Sequence, residues 1–134
     1  MGARQLTQLF LLCSLLIGLR CQGQEGFPEP RELAGANSEE SSWSPDGKRI
    51  AFDSARDSKY FNIYVLDVGT GTVTRLTKSE ANDITPAWSP DGRRIAFTSQ
   101  RDGNREVYVM NADGSAQTRL TNSPSADGQA FWFP

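Results

Sequence analysis

Histidine is absent from the 134 residues, and the two cysteines, Cys13 and Cys21, both lie in the first 21 positions. The first absence excludes Ser-His-Asp and Cys-His catalytic arrangements and imidazole zinc ligands. The second leaves no thiolate nucleophile, thiolate metal ligand or disulfide in the remainder of the chain. Cationic clusters are missing too: 14 Lys+Arg face 16 Asp+Glu for a net charge of −2, and no cluster of four or more basic residues occurs. Without a basic excess, nucleic acid and anionic membrane surfaces are excluded as partners. The apolar run at residues 9–19 is 11 residues long, short of the ~20 a membrane-spanning helix needs, so no stable transmembrane segment is expected. Carboxylate chemistry or binding remains. The adjacent Glu39 and Glu40 would point to opposite faces of a strand, which does not set two acids about a scissile bond. No cofactor, no metal and no catalytic residue is therefore expected.

What is present describes a turn-rich β protein: 37% hydrophobic and 10% aromatic residues for a core, with 12 Gly and 7 Pro. Residues 1–23 combine Arg4, the apolar run and a short polar stretch, the layout of an export signal, with Cys21-Gln22-Gly23 setting small residues before a mature start at Gln24. Lipidation at Cys21 is the competing reading, and Arg20 just before it argues against it. Loss of 1–23 removes Arg4 and Arg20 and leaves 12 cationic against 16 acidic side chains. Residues 24–37, with Glu25, Pro28, Glu29, Pro30 and Glu32, lack apolar periodicity and read as a linker.

Residues 38–134 repeat. Trp43-Ser44-Pro45-Asp46-Gly47-Lys48-Arg49-Ile50-Ala51-Phe52 recurs 45 residues on as Trp88-Ser89-Pro90-Asp91-Gly92-Arg93-Arg94-Ile95-Ala96-Phe97, and Arg56-Asp57 as Arg101-Asp102. The match continues at an offset of 44, with Ile63-Tyr64-Val65 on Val107-Tyr108-Val109 and Thr74-Arg75-Leu76-Thr77 on Thr118-Arg119-Leu120-Thr121; Trp132 and Pro134 fall on Trp88 and Pro90. This period with several short strands per unit predicts an all-β fold of β-propeller blades. Two four-stranded antiparallel blades, at about 38–80 and 81–125, precede one strand of a third at 126–134, an incomplete ring. The strands are predicted at 40–43 and 85–88, 49–54 and 94–99, 62–67 and 106–111, and 73–76 and 117–120. Ser-Pro-Asp-Gly makes the first turn of each blade, with Pro45 or Pro90 presetting φ, Asp46 or Asp91 next, and Gly47 or Gly92 left-handed. Small Ala51 and Ala96 leave room for a neighbouring blade, and two blades alone would leave Ile63, Val65, Val107, Val109 and the strand around Phe131-Trp132-Phe133 in water.

In these motifs, Trp-Ser-Pro-Asp-Gly-(Lys/Arg)-Arg-Ile-Ala-Phe, Ser-x-Arg-Asp, (Ile/Val)-Tyr-Val and Arg-Leu-Thr, residues 37–134 resemble the TolB-type β-propeller repeat. The eukaryotic WD repeat would need a Gly-His pair and a Trp-Asp dipeptide, and neither occurs. The resemblance implies an exported, periplasmic or envelope-associated bacterial protein whose function is to bind a protein partner, as TolB itself binds the peptidoglycan-associated lipoprotein. It also implies an alternative, the propeller part of a larger enzyme, a prolyl-oligopeptidase-like peptidase or an oligogalacturonide lyase; the incomplete ring offers a second, a short chain that closes its ring as a homo-oligomer.

Candidate binding residues lie in the loops between second and third strands, which gather on one face of a propeller. They are Arg56, Asp57, Lys59, Tyr60 and Phe61 in the first blade and Arg101, Asp102, Asn104 and Arg105 in the second. The Arg-Asp pairs recur and suit a loop-holding role; Lys59, Tyr60 and Phe61 differ between blades, where specificity would sit. Trp43, Trp88 and Trp132 suit core packing over a sugar-stacking platform. The isolated aspartates of the Pro-Asp-Gly turns do not supply the clustered carboxylates of a calcium loop.

Overall fold

The computed structural model describes residues 40–133, and the export segment and linker expected at 1–37 lie outside them. Eight strands form two sheets. In the first, β1 (Ser41–Trp43), β2 (Arg49–Ser54), β3 (Asn62–Asp67) and β4 (Val73–Arg75) pair in sequence order, all antiparallel. In the second, β5 (Asp83–Trp88), β6 (Arg94–Ser99), β7 (Glu106–Asn111) and β8 (Thr118–Arg119) do the same. Two open four-stranded sheets side by side are the blades expected from the repeat, and β2, β3, β6 and β7 fall on their predicted residues.

The turn chemistry acts as the sequence indicates. Gly47 N–H donates to the Ser44 carbonyl and Gly92 N–H to that of Ser89, both at 2.9 Å. Their φ angles of 69° and 70° lie in the left-handed region that glycine adopts without strain. The outer strands β4 and β8 are shorter than expected, three and two residues, because an unpaired edge ends where the ladder loses partners.

Strand β5 is longer than expected and irregular. Its register with β6 slips between Ile84, opposite Thr98, and Ala87, opposite Ala96, so that Thr85 and Pro86 together face Phe97. This is a β-bulge, and Pro86 is its local cause: a proline cannot donate to a ladder and is tolerated within a strand where pairing is interrupted. Thr85 takes φ 54°, unusual for a β-branched residue. It is held there by the Asp53 carboxylate, which accepts the Thr85 N–H at 3.2 Å, and by its hydroxyl donating to Thr98 Oγ1 at 3.0 Å.

Period-two alternation sends Ile50, Phe52, Tyr64 and Leu66 to one face of the first blade and Ala51, Ile63 and Val65 to the other. The second set packs with Trp88, Ile95, Phe97, Tyr108 and Met110 of the second blade into one core. The expectation that Ile63, Val65 and Val109 meet water is therefore corrected: they are buried, Ile63 completely, and Val107 is half-buried. The physical reason for the first two is that Trp88 reaches across from the next blade over the gap left by Ala51. At the rim, Gly114 (φ 88°) sits so close to Leu76 that a Cβ would lie 3.0 Å from its carbonyl oxygen. Among the described residues no helix is long and apolar enough to cross a membrane.

Candidate functional site

Antiparallel order places the β2–β3 loop (residues 55–61), the β6–β7 loop (100–105) and the β4–β5 connection (76–82) at the same end of the two blades. Asn82 joins the two loops. Its Oδ1 accepts the Phe61 N–H at 3.1 Å, its Nδ2 donates to Gln100 Oε1 at 3.2 Å, and its carbonyl accepts the Gln100 N–H at 3.0 Å. Asp83 N–H donates to the Phe61 carbonyl at 2.9 Å. The loops of both blades thereby form one continuous surface.

Beneath this surface each blade carries the same support. Phe52 and Tyr64 stack at 5.7 Å between ring centres, as do Phe97 and Tyr108 at the same distance. The Arg56 guanidinium lies over Phe52 and Tyr64 at 5.1 and 5.3 Å, and that of Arg101 over Phe97 and Tyr108 at 5.5 and 4.7 Å. Asp57 accepts the Tyr64 hydroxyl at 3.0 Å, and Asp102 accepts that of Tyr108. Burial first, then the carboxylate acceptor, raises both phenols, with Tyr108 pushed up to about 12.

Arg101 and Asp102 do not pair with each other. Arg101 bonds Asp83 through Nη2 at 2.9 Å, Ser99 Oγ through Nε at 2.8 Å and Gln117 Oε1 through Nη1 at 2.9 Å. Gln117 Nε2 donates in turn to the Leu76 carbonyl of the first blade at 3.3 Å. Asp102 pairs with Arg119 at 3.2 Å. Asp83 is fully buried, and burial raises its pKa against the bonds from Ser99 and Arg101 that favour the carboxylate. The four repeated Arg and Asp residues thus brace the loops. The side chains at the loop tips are Lys59, exposed with Nζ 4.8 Å from the Tyr60 ring centre, half-buried Tyr60 and Phe61, and exposed Arg105. Asn104 donates to the Ser123 carbonyl at 2.7 Å and secures the neighbouring connection.

Two supports escaped sequence reasoning. Glu106, fully buried at the start of β7, accepts Thr121 Oγ1 at 2.5 Å, Ser123 N–H at 3.1 Å and Arg119 Nη2 at 2.7 Å. The Thr121 hydroxyl, followed by Arg119 and the Ser123 N–H, lowers its pKa against the cost of burial. The counterpart Asn62 does the same work with a neutral amide, accepting Ser79 N–H at 2.9 Å and Thr77 Oγ1 at 3.3 Å. The available signal was an acid opening an apolar strand where the other repeat has an amide. Asn82 left no comparable trace.

At the opposite end, Asp46 accepts the Ser44 hydroxyl at 2.6 Å and the Lys48 N–H at 3.1 Å, and Asp91 accepts Ser89 and Arg93 at 2.6 and 3.0 Å. These bonds, the serine hydroxyl first, hold both carboxylates below the usual range and commit Pro45-Asp46-Gly47 and Pro90-Asp91-Gly92 to their own turns. An open groove of about 430 Å³ lies between the first blade and the β7–β8 turn, lined by Asp67, Thr72, Thr74, Leu76 and Asp113 among others. Asp67 and Asp113 are occupied by Thr70 and Ser115. Among the described residues no group of three or more His, Cys, Asp or Glu is placed to hold a metal. Trp88 is buried between the blades, Trp132 half-buried and Trp43 39% exposed, so the three do not form one platform.

A family model described as the TolB beta propeller domain matches residues 31–134. An uncharacterized protein of Agrobacterium fabrum is 42% identical over 92 residues, covering 69% of this chain and 30% of that protein. Among solved structures, one assigned as TolB from Agrobacterium tumefaciens aligns with a TM-score of 0.64 at 40% identity, over 74% of this chain and 34% of the other. TolB from Acinetobacter baumannii aligns with a TM-score of 0.56 at 36% identity, over 63% of this chain and 21% of the other. The chain spans about a third or less of the length of each of these relatives.

Proposed function

Since the chain belongs to the TolB beta propeller domain family, we propose that it is an exported, non-catalytic protein-binding or scaffold module of the bacterial envelope. Its partner is a protein, recognised through the loop face built by residues 55–61 and 100–105. One observation carries this reading: Asn82 fuses the two loops into a single surface whose supports repeat while its tips differ, Lys59-Tyr60-Phe61 against Asn104-Arg105. A rigid, repeated base under variable tips is the arrangement that gives a scaffold its specificity. Aromatic and arginine side chains at such tips are the residue types that dominate protein interfaces.

The test is site-specific photocrosslinking in bacterial cells. A photoreactive amino acid at Tyr60 should yield a discrete protein adduct in the envelope fraction, and one at Lys48, in the turn at the other end, should not. Equal adducts from both positions, none from either, or an intact chain confined to the cytoplasm would overturn the proposal.

A further inference from the structure

The two sheets pack through Ala51, Ile63 and Trp88, but toward the outer strands the space between them is not filled by large side chains. Thr72 and Thr74 on the first blade and Ala112 on the second are too short to close it, and a groove of about 430 Å³ remains. That volume lies within the range of small-molecule sites. The β7–β8 turn bounds the groove where Gly114 sits against Leu76. Both walls are four-stranded sheets paired throughout in sequence order, so the groove is fixed by how one blade packs on the next.

Arg49 sets the chemistry of the groove. Its guanidinium lies over Trp88, 4.5 Å from the ring centre, and among the described residues it forms no ion pair and donates no side-chain hydrogen bond. An arginine positioned by stacking, with its donors unused, is preorganised for a ligand. Thr74 lines the same groove and is exposed, and its hydroxyl likewise bonds none of the described residues. Asp67 and Asp113 add acceptors: Oδ1 of each takes a turn N–H at 2.9 Å, from Thr70 and Ser115, and the second carboxylate oxygen remains an acceptor. Val65, Leu76 and Ala112 supply an apolar patch beside these polar groups. Such a lining disfavours charge of either sign, since an anion on Arg49 would face two carboxylates and a cation on those carboxylates would face Arg49. An apolar ligand would strip water from the guanidinium and the hydroxyls without replacing its hydrogen bonds. A neutral molecule whose hydroxyls both donate and accept, and which also carries an apolar C–H face, matches every group in the groove, and a sugar ring is such a molecule.

We propose that the groove between the first blade and the β7–β8 turn binds a neutral oligosaccharide. Arg49 and Thr74 donate to sugar oxygens, Asp67 and Asp113 accept sugar hydroxyls, and Val65, Leu76 and Ala112 lie against the C–H face of a ring. None of these residues belongs to the loops at 55–61 and 100–105, so this proposal and the protein-binding reading stand or fall separately.

The test titrates cellobiose and diacetylchitobiose into the isotope-labelled full chain, followed by amide chemical shifts. Saturable shifts centred on residues 65–76 and 112–114 are expected with at least one of the two. Arg49→Lys should weaken binding about tenfold, because the ammonium keeps the charge and loses the planar fork. Thr74→Val, isosteric at an exposed position, should weaken it about threefold while leaving the thermal melt unchanged. Glucosamine and glucuronate, the cationic and anionic controls, should bind more weakly than glucose. No saturable shift with either disaccharide, shifts centred elsewhere, tighter binding of a charged control than of glucose, or equal affinity of the chain and its Thr74→Val variant would overturn the proposal.

Discussion

Replacing Trp88 by alanine tests the packing on which the blade arrangement rests. Trp88 is 6% exposed and lies in one core with Ala51, Ile63 and Val65 of the first blade. A tryptophan buries about 150–250 Å², which at ~25 cal/mol per Å² corresponds to about 4–6 kcal/mol of transfer free energy. Partial collapse of the cavity offsets some of this, so a loss of about 3–5 kcal/mol is expected. Trp43 occupies the equivalent position but is 39% exposed, and its replacement should cost about 2–3 kcal/mol by the same area scaling. In urea, with a slope of about 1.5 kcal/mol per M, Trp88→Ala should lower the midpoint by about 2–3 M. Trp88→Phe is the control should the alanine variant fail to fold. The indole Nε1 has no hydrogen-bond partner, so only volume is lost, and a cost of about 1–1.5 kcal/mol is expected. Equal losses at Trp43 and Trp88, or a loss below about 1 kcal/mol at Trp88, would refute an interblade core.

At the rim, Gly114→Ala should destabilise by about 2 kcal/mol, since its Cβ would meet Leu76 at 3.0–3.2 Å at a positive φ, whereas Gly47→Ala, with open space around it, should cost about 1 kcal/mol in the same melts. Burial and Asp102 raise the Tyr108 hydroxyl to about 12. The folded chain therefore holds this proton longer than the unfolded chain, and stability present below pH 10 should fall as pH rises toward 12, with Tyr108→Phe flattening that decline. Glu106 is shifted the other way by Thr121, Arg119 and the Ser123 N–H. Its contribution is present above its ordinary range and is lost as pH falls through the lowered value; Glu106→Gln should make acid melts less pH-dependent, while Asn62→Asp should make them more so.

The local chemistry of the blade was legible without coordinates because it depends on near neighbours. Alternation in Arg49–Ser54 and Arg94–Ser99, and the Pro, Asp and Gly of each turn, act over two to four residues, and the observed strands and left-handed glycines follow them. The bulge had a partial signal, since Pro86 inside a strand forecasts interrupted pairing, but its location needed the Asp53 carboxylate 32 residues away. The loop site divides in the same way. Repetition marked Arg56, Asp57, Arg101 and Asp102 as a set, and their actual partners emerged only from the fold: aromatic faces for the arginines, tyrosine hydroxyls for the aspartates, and Asp83 rather than Asp102 for Arg101.

The all-β blade and its period follow from side-chain alternation and turn residues that need no distant contact. How one blade meets the next is settled by packing across the sheets. The bond from Trp88 N–H to Ser42 Oγ, the fusion of two loops by Asn82, and the cover of Ile63 and Val65 all depend on the angle and offset between sheets. Those are set by the volume of Trp88 against Ala51 and the contact of Gly114 with Leu76, pairs 37 or more residues apart whose fit no local pattern encodes.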